Sequence, residues 1–171
     1  INLKNGGRLL KLILLSNTME KYKAPISVLV VIYTSNLQFL LLERADHPGY
    51  WQSVTGSKHQ DETLPQAAVR ETAEETGLNA DNFLLTDLRL QNTYEIFQEW
   101  RWRYAPNVTH NTEHIFSLLL PKPVPVVVSP REHLRYAWLP KEEAIKKVFS
   151  YSNAKAIRNL LSSLKVHNKI I

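Results

Sequence analysis

The chain has 171 residues, 44% of them apolar, no cysteine and a formal charge of +5. That size and composition suit one domain with its own core and exclude a disulfide framework, thiolate chemistry and a low-complexity array. The positive charge is uneven: Lys4, Arg8 and Lys11 stand in residues 1–18 without an acidic residue, leaving 18 basic against 16 acidic residues in the rest. A balance of +2 suits a small phosphorylated substrate as well as it suits RNA.

The chain opens on Ile1, and its single methionine is Met19. The domain is expected to span residues 19–171, with 1–18 an N-terminal extension. The apolar run Leu9 to Leu15 is broken by Lys11 and falls short of the roughly 20 residues of a spanning helix. No membrane span is expected, and the absence of cysteine fits a cytoplasmic protein. Residues 26–33 form a β-branched run that reads as a buried strand, with 38–44 its hairpin partner across Ser35-Asn36. A short strand is expected over Trp51 to Thr55. Thr63 as N-cap and Pro65 in the first turn open a helix that runs to Thr76, and Gly77 closes it. Beyond it, 83–93, 95–104, 113–120 and 135–139 read as strands, and 140–148 and 153–166 as helices. Mixed strands with few helices predict an α+β fold, an α/β/α sandwich rather than a doubly wound sheet.

The helix carries Arg70, Glu71, Glu74 and Glu75. Glu71 and Glu75 are one turn apart on the same side, with Glu74 beside them. Like charges at this spacing destabilise a helix, and a hard divalent cation such as Mg²⁺ or Mn²⁺ offsets the repulsion. Arg70 can pair with Glu74 at i+4. A lone Arg-Glu-x-x-Glu-Glu is commonly a solvated face; here it is framed by Gly56, Glu62 and Gly77-Leu78.

Gly56-x5-Glu62-x7-Arg70-Glu71-x-x-Glu74-Glu75-x-Gly77-Leu78 resembles the Nudix box, departing only at Thr72, where that family has a larger aliphatic residue. The resemblance implies a Nudix-type α/β/α sandwich and a metal site held by Gly56, Glu71, Glu75 and Glu113, with Arg70 and Glu74 as further catalytic residues. Glu113 is otherwise readable as a solvated strand-start carboxylate after a turn-like Thr109 to Thr112. Outside the box, Trp51 to Ser57, Arg103-Tyr104-Ala105-Pro106 and Asn111-Thr112-Glu113 are similar to a bacterial subgroup hydrolysing dihydroneopterin triphosphate to the monophosphate and diphosphate. That resemblance implies a pterin or purine triphosphate substrate, dATP included. It implies substrate contacts from Lys23, Arg44, Thr55 and Ser150. Tyr94, Glu95, Ile96 and Phe97 are read from their side chains as candidates for ring recognition, Glu95 being able to accept from a ring N–H.

Trp100 to Tyr104 alternates aromatic and basic residues. As a strand it would put the aromatics on one face, as a core stripe, a stacking platform or a nucleic-acid surface. His47, His59, His110, His114, His133 and His167 show no metal-ligand spacing and read as surface or structural. Two rivals stand beside the pterin reading: a hydrolase of RNA 5′ ends or dinucleoside polyphosphates, and a non-catalytic nucleotide-binding module. The mild charge and Ser53-Val54-Thr55 before Gly56 count against the first, the complete set of box glutamates against the second.

Overall fold

The structure is a computed structural model that describes residues 22–167, so the extension expected at 1–18 lies outside the described residues. The strands are β1 (Ile26–Thr34), β2 (Gln38–Arg44), β3 (Trp51–Gln52), β4 (Val54–Ser57), β5 (Leu84–Glu95), β6 (His110–Leu120) and β7 (His133–Pro140). The helices are α1 (Leu64–Thr76), α2 (Lys141–Lys147) and α3 (Tyr151–His167). The seven strands form one mixed sheet in the order β3-β2-β1-β6-β5, with β4 on β1 and β7 on β2.

β1 is the centre of the molecule. It runs parallel to β6 along its whole length, from Ile26↔Thr112 to Thr34↔Leu120. On its other side the strand is shared: Tyr33 pairs with Phe39 of β2, and residues 27–30 pair with β4. Covered on both faces, β1 is buried from Ser27 onward, which is why it reads as a continuous apolar run without alternation. Val28, Val30 and Ile32 pack with Leu40, Leu42, Val54, Ala67 and Ala68 under α1. Leu29 and Val31 pack with Leu41, Ile115, Ala144, Ala156 and Ile157 under α2 and α3. The expected α/β/α sandwich is therefore present, its two cores set by the period-2 geometry of the strands.

The expected caps of α1 are in place. Thr63 Oγ1 accepts from Gln66 N at 3.3 Å and Gln66 Oε1 from Thr63 N at 2.8 Å, while Gly77 takes the left-handed φ of 69° that an unbranched backbone tolerates. Thr72, the departure from the box pattern, is fully buried and its hydroxyl lacks a partner, so a polar group replaces an aliphatic one at the helix–sheet contact.

Several sequence expectations are corrected. The strand expected over 95–104 does not form: β5 continues to Glu95, and Gln98–Arg103 is a 3-10 helix with bonds from Trp100 N to Phe97 O and from Tyr104 N to Arg101 O. β5 is the end strand in the sheet order, and the chain leaves its free edge at Phe97 by closing 3-10 bonds on itself instead of pairing there. Trp100 and Trp102 consequently do not share a strand face, and no residue of 98–103 is buried, which removes the core-stripe reading. Thr109 to Thr112 is not a turn, because β6 begins at His110. The short strand at 51–55 divides at Ser53, where the side chain of Asn153 takes both the backbone and the hydroxyl. Among the described residues no helix is long and apolar enough to cross a membrane.

Candidate active site

The register sorts the candidate residues onto two faces of the sheet. Val28 pairs with Gly56 and belongs to the core beneath α1, so the open side of Gly56 faces that helix. Ser27 pairs with both Ser57 and Glu113, and Leu29 with both Thr55 and Ile115. These residues face the opposite side, toward α3, because paired residues in adjacent strands share a face.

On the α1 face lies a dense charge cluster. A Cβ on Gly56 would meet the Glu71 carboxylate at 1.9 Å, so only glycine lets that carboxylate lie against the β4 backbone. Arg70 is the organiser. Its Nε and Nη2 donate to the two oxygens of Glu62 at 2.9 and 2.7 Å, its Nη1 to Glu71 at 2.7 Å and Glu74 at 3.0 Å, and Nη2 also reaches Ser57 O at 3.0 Å. The expected i+4 pair with Glu74 is one contact of five, and the two-pronged pair with Glu62 fixes the guanidinium. Arg70 holds Glu62 down at a pKa of about 2.

Glu71 is pushed up to about 7 by burial, with the charges of Glu75 and Glu74 adding to the shift and Arg70 opposing it. Burial also raises Glu75, which is 2% exposed. Glu75 Oε2 is held by Thr55 N at 3.3 Å and lies 3.2 Å from His133 Nε2. The candidate ligand atoms of Glu75, Glu132 and His133 all lie within 4.8 Å of one another. Sequence reasoning passed over Glu132 and placed His133 among surface or structural histidines; His133 is 3% exposed and stands against Glu75. The carboxylate that approaches Glu75 from another element is thus Glu132, whereas Glu113 is on the other face.

The donor set fits a divalent cation. Glu71, Glu74, Glu75 and Glu132 crowd one region in which Arg70 and His133 are the neighbouring cationic or neutral donors. Carboxylate oxygens in this arrangement suit a hard ion such as Mg²⁺, and Glu71 stays raised to about 7 even with Arg70 beside it, so the cluster holds more negative charge than Arg70 offsets.

The α3 face holds a cleft of about 540 Å³. Lys23, Arg44, Arg103 and Lys155 line it, together with Gly56 and Ser57; Arg103 and Lys155 were not singled out as site residues from sequence. Arg44 is engaged: Nε and Nη2 donate to Asp46 at 2.8 and 2.7 Å, Nη1 donates to Gln52 at 3.0 Å, and the guanidinium lies 4.7 Å from the Trp100 ring centroid. Thr55 lines the cleft but spends its hydroxyl on Val28 O. Ser150 lines it as well and accepts from Asn153 N at 3.3 Å, next to the start of α3.

Aromatic rings form another wall. Tyr50 stacks on Phe149 with centroids 4.9 Å apart, and Trp100 meets Phe97 and His47 edge-to-face at 5.2 and 5.3 Å. Trp100, Phe97 and Phe149 line the cleft, whereas Trp102, 74% exposed, does not. Of the four residues expected to read a ring, Tyr94, Glu95, Ile96 and Phe97 all border the cleft. Glu95, however, is ion-paired with Arg101 and Ile96 is buried, leaving Phe97 as the half-exposed ring of the set.

The floor is polar. Asn111 Nδ2 donates to Ser27 Oγ at 2.7 Å and to Tyr94 Oη at 3.1 Å. Glu113 is 4% exposed, and burial, partly offset by the Ser152 hydroxyl, raises it to about 7. Asn111 Oδ1 and Glu113 Oε2 have no hydrogen-bond partner. Unmade bonds of this kind cost about 1–3 kcal/mol each.

Residues 23–160 match the family described as the NUDIX domain. The chain is 45% identical over 143 residues to the dihydroneopterin triphosphate diphosphatase of Escherichia coli (strain K12), covering 82% of this chain and 94% of that protein. It is 41% identical over 150 residues to the Haemophilus influenzae protein of the same name, covering 86% and 94%. Among solved structures, that of the E. coli dihydroneopterin triphosphate pyrophosphohydrolase superposes with a TM-score of 0.76 at 45% identity, covering 81% of this chain and 95% of that one.

Proposed function

The chain belongs to the Nudix family, and from that premise we propose that it is a Mg²⁺-dependent pyrophosphohydrolase converting dihydroneopterin triphosphate to dihydroneopterin monophosphate and diphosphate, with dATP as a further substrate. Mn²⁺ is the alternative ion. The observation that carries the reading is the carboxylate cluster around Gly56, with a cation-lined cleft on the other side of the same glycine. The likeness to relatives named for this activity over most of their length supports the choice of substrate.

Glu71, Glu75, Glu132 and the carbonyl of Gly56 would hold the ion. The chemistry such an ion supplies is neutralisation of charge on phosphate oxygens and activation of water. The protein's own part is positioning. Arg70, fixed by Glu62, holds Glu71 and Glu74 in place, and Thr55 N and His133 orient Glu75. Glu74, the most exposed carboxylate of the helix cluster, takes the proton of the attacking water. Lys23, Arg44 and Arg103 bind the triphosphate, and the aromatic wall encloses the ring. Most of the rate comes from alignment and charge stabilisation, as in other phosphoryl transfers.

Residues 19–171 act as one domain in this proposal. Diphosphate release from dihydroneopterin triphosphate, dATP, a dinucleoside polyphosphate and a capped RNA, each with Mg²⁺, tests it. The expected order puts the pterin first. Turnover of none of the four by protein that binds the metal would sink the enzyme reading.

A further inference from the structure

On the reading just given, Arg44 grips the triphosphate, so the aim of its guanidinium matters as much as its charge. We propose that Asp46, which lies outside the cleft lining, is a positioning residue that turns Arg44 toward the phosphates. Arg44 Nε and Nη2 donate to the two oxygens of Asp46 at 2.8 and 2.7 Å, and Nη1 donates to Gln52 Oε1 at 3.0 Å. A guanidinium has five N–H donors. Among the described residues three are committed, which leaves one on Nη1 and one on Nη2 for an anion in the cleft that Arg44 lines. Two donors on one planar fork suit two non-bridging phosphate oxygens. Asp46 also lies 3.6 Å from Arg103 Nη2, so one carboxylate ties together two cleft cations, from β2 and from the 3-10 segment.

The carboxylate is itself held. Its loop is closed by Arg44 N to Tyr50 O at 2.9 Å, Tyr50 N to His47 O at 3.0 Å and Ala45 N to Glu132 O at 2.8 Å. His47 stacks on Tyr50 and meets Trp100 edge-on, while the Arg44 guanidinium lies over the Trp100 ring. A flexible side chain is thereby fixed on three sides, by carboxylate, amide and indole. Charge alone argues the other way: an acidic group beside the cleft repels phosphate, and its removal would tighten binding. Prearranging the arginine lowers the ordering cost of binding and acts with the opposite sign. The sign of the effect therefore separates positioning from simple repulsion.

Two measurements test it: steady-state kinetics on dihydroneopterin triphosphate and dATP, and calorimetric titration with inorganic triphosphate in the absence of divalent metal. Asp46→Ala is expected to raise KM about tenfold for both substrates with kcat within about threefold, the pattern of a lost ground-state grip. Asp46→Asn, which keeps one acceptor oxygen for the guanidinium, should raise KM about threefold. A lower KM in Asp46→Ala, or a fall in kcat at unchanged KM, would make Asp46 a repelling or merely structural group and overturn the proposal. In an Arg44→Ala background the same change should move KM by less than about twofold, and the full tenfold there refutes action through Arg44. The titration needs no turnover, and inorganic triphosphate should bind Asp46→Ala about tenfold more weakly than wild type. Equal binding overturns the proposal even where hydrolysis is intact. Weaker binding by a protein that hydrolyses no triphosphate removes the pyrophosphohydrolase reading and leaves Asp46 in its role.

Discussion

The two faces of the sheet at Gly56 are built in contrasting ways. The α1 face draws most of its chemistry from one helix: Arg70, Glu71, Glu74 and Glu75 lie within six residues, and Glu62 just before the helix locks the arginine. The α3 face is assembled from β1 to β6, the 3-10 segment, the start of α3 and the loops between them, no one of which supplies most of the lining. The first arrangement is a carboxylate cluster, proposed above to hold the ion, whose spacing follows the helical repeat. The second is a shaped cleft, whose specificity depends on how separate segments meet. Metal chemistry and ring recognition should therefore fail independently.

The largest effect is expected on the α1 face. Glu75→Gln keeps the volume of a buried side chain but removes its charge, and kcat should fall on the order of 10³-fold with an unchanged circular dichroism spectrum. A variant within a few fold of wild type would break the division between the faces. Gly56→Ala comes next. Its methyl group must displace the Glu71 carboxylate that Arg70 pins, and a loss of about 10²-fold in kcat is expected from that misplacement. Steady-state kinetics beside a melting curve separate this from unfolding.

On the cleft face, Trp100→Ala should raise KM about tenfold by removing a ring wall, while Trp102→Ala, exposed and outside the cleft, should leave KM within twofold. Equal responses of the two tryptophans would restore the stripe reading of this segment. The smallest effect concerns pH. Glu71 is raised from 4.5 to about 7, so the folded protein holds a proton that the unfolded chain releases. Stability of the metal-free protein therefore declines as pH rises from about 4.5 through 7. A bound cation relieves that loss, and the rise in Tm on adding Mg²⁺ should be larger at pH 8 than at pH 5. An equal rise at both values would contradict the burial argument for Glu71.

The contrast also explains what the sequence made legible. The box could be read because its spacing repeats the helix that forms it, and the caps at Thr63 and Gly77 marked its ends. The buried strands were legible from the β-branched run at 26–33, which is apolar because both faces of β1 are covered. Trp100 to Tyr104 misled because an alternation of period two looks like a strand, while the backbone turns at Phe97 into a 3-10 helix. Glu132 and His133 carried no local signal. They follow Ser129-Pro130-Arg131 in a connection and reach Glu75 only because β7 pairs with β2. Glu113 was singled out through the resemblance, but no local pattern says which face of β6 it occupies, and its pairing with Ser27 puts it on the cleft side.

The division of labour between the faces is tested most directly by Mn²⁺ titration, followed by electron paramagnetic resonance of the free ion, in the absence of substrate. Glu75→Gln and Glu132→Gln should each weaken binding by at least about tenfold, and Glu113→Gln should bind as wild type does. Loss of Mn²⁺ affinity in Glu113→Gln with retention in Glu132→Gln would contradict the account.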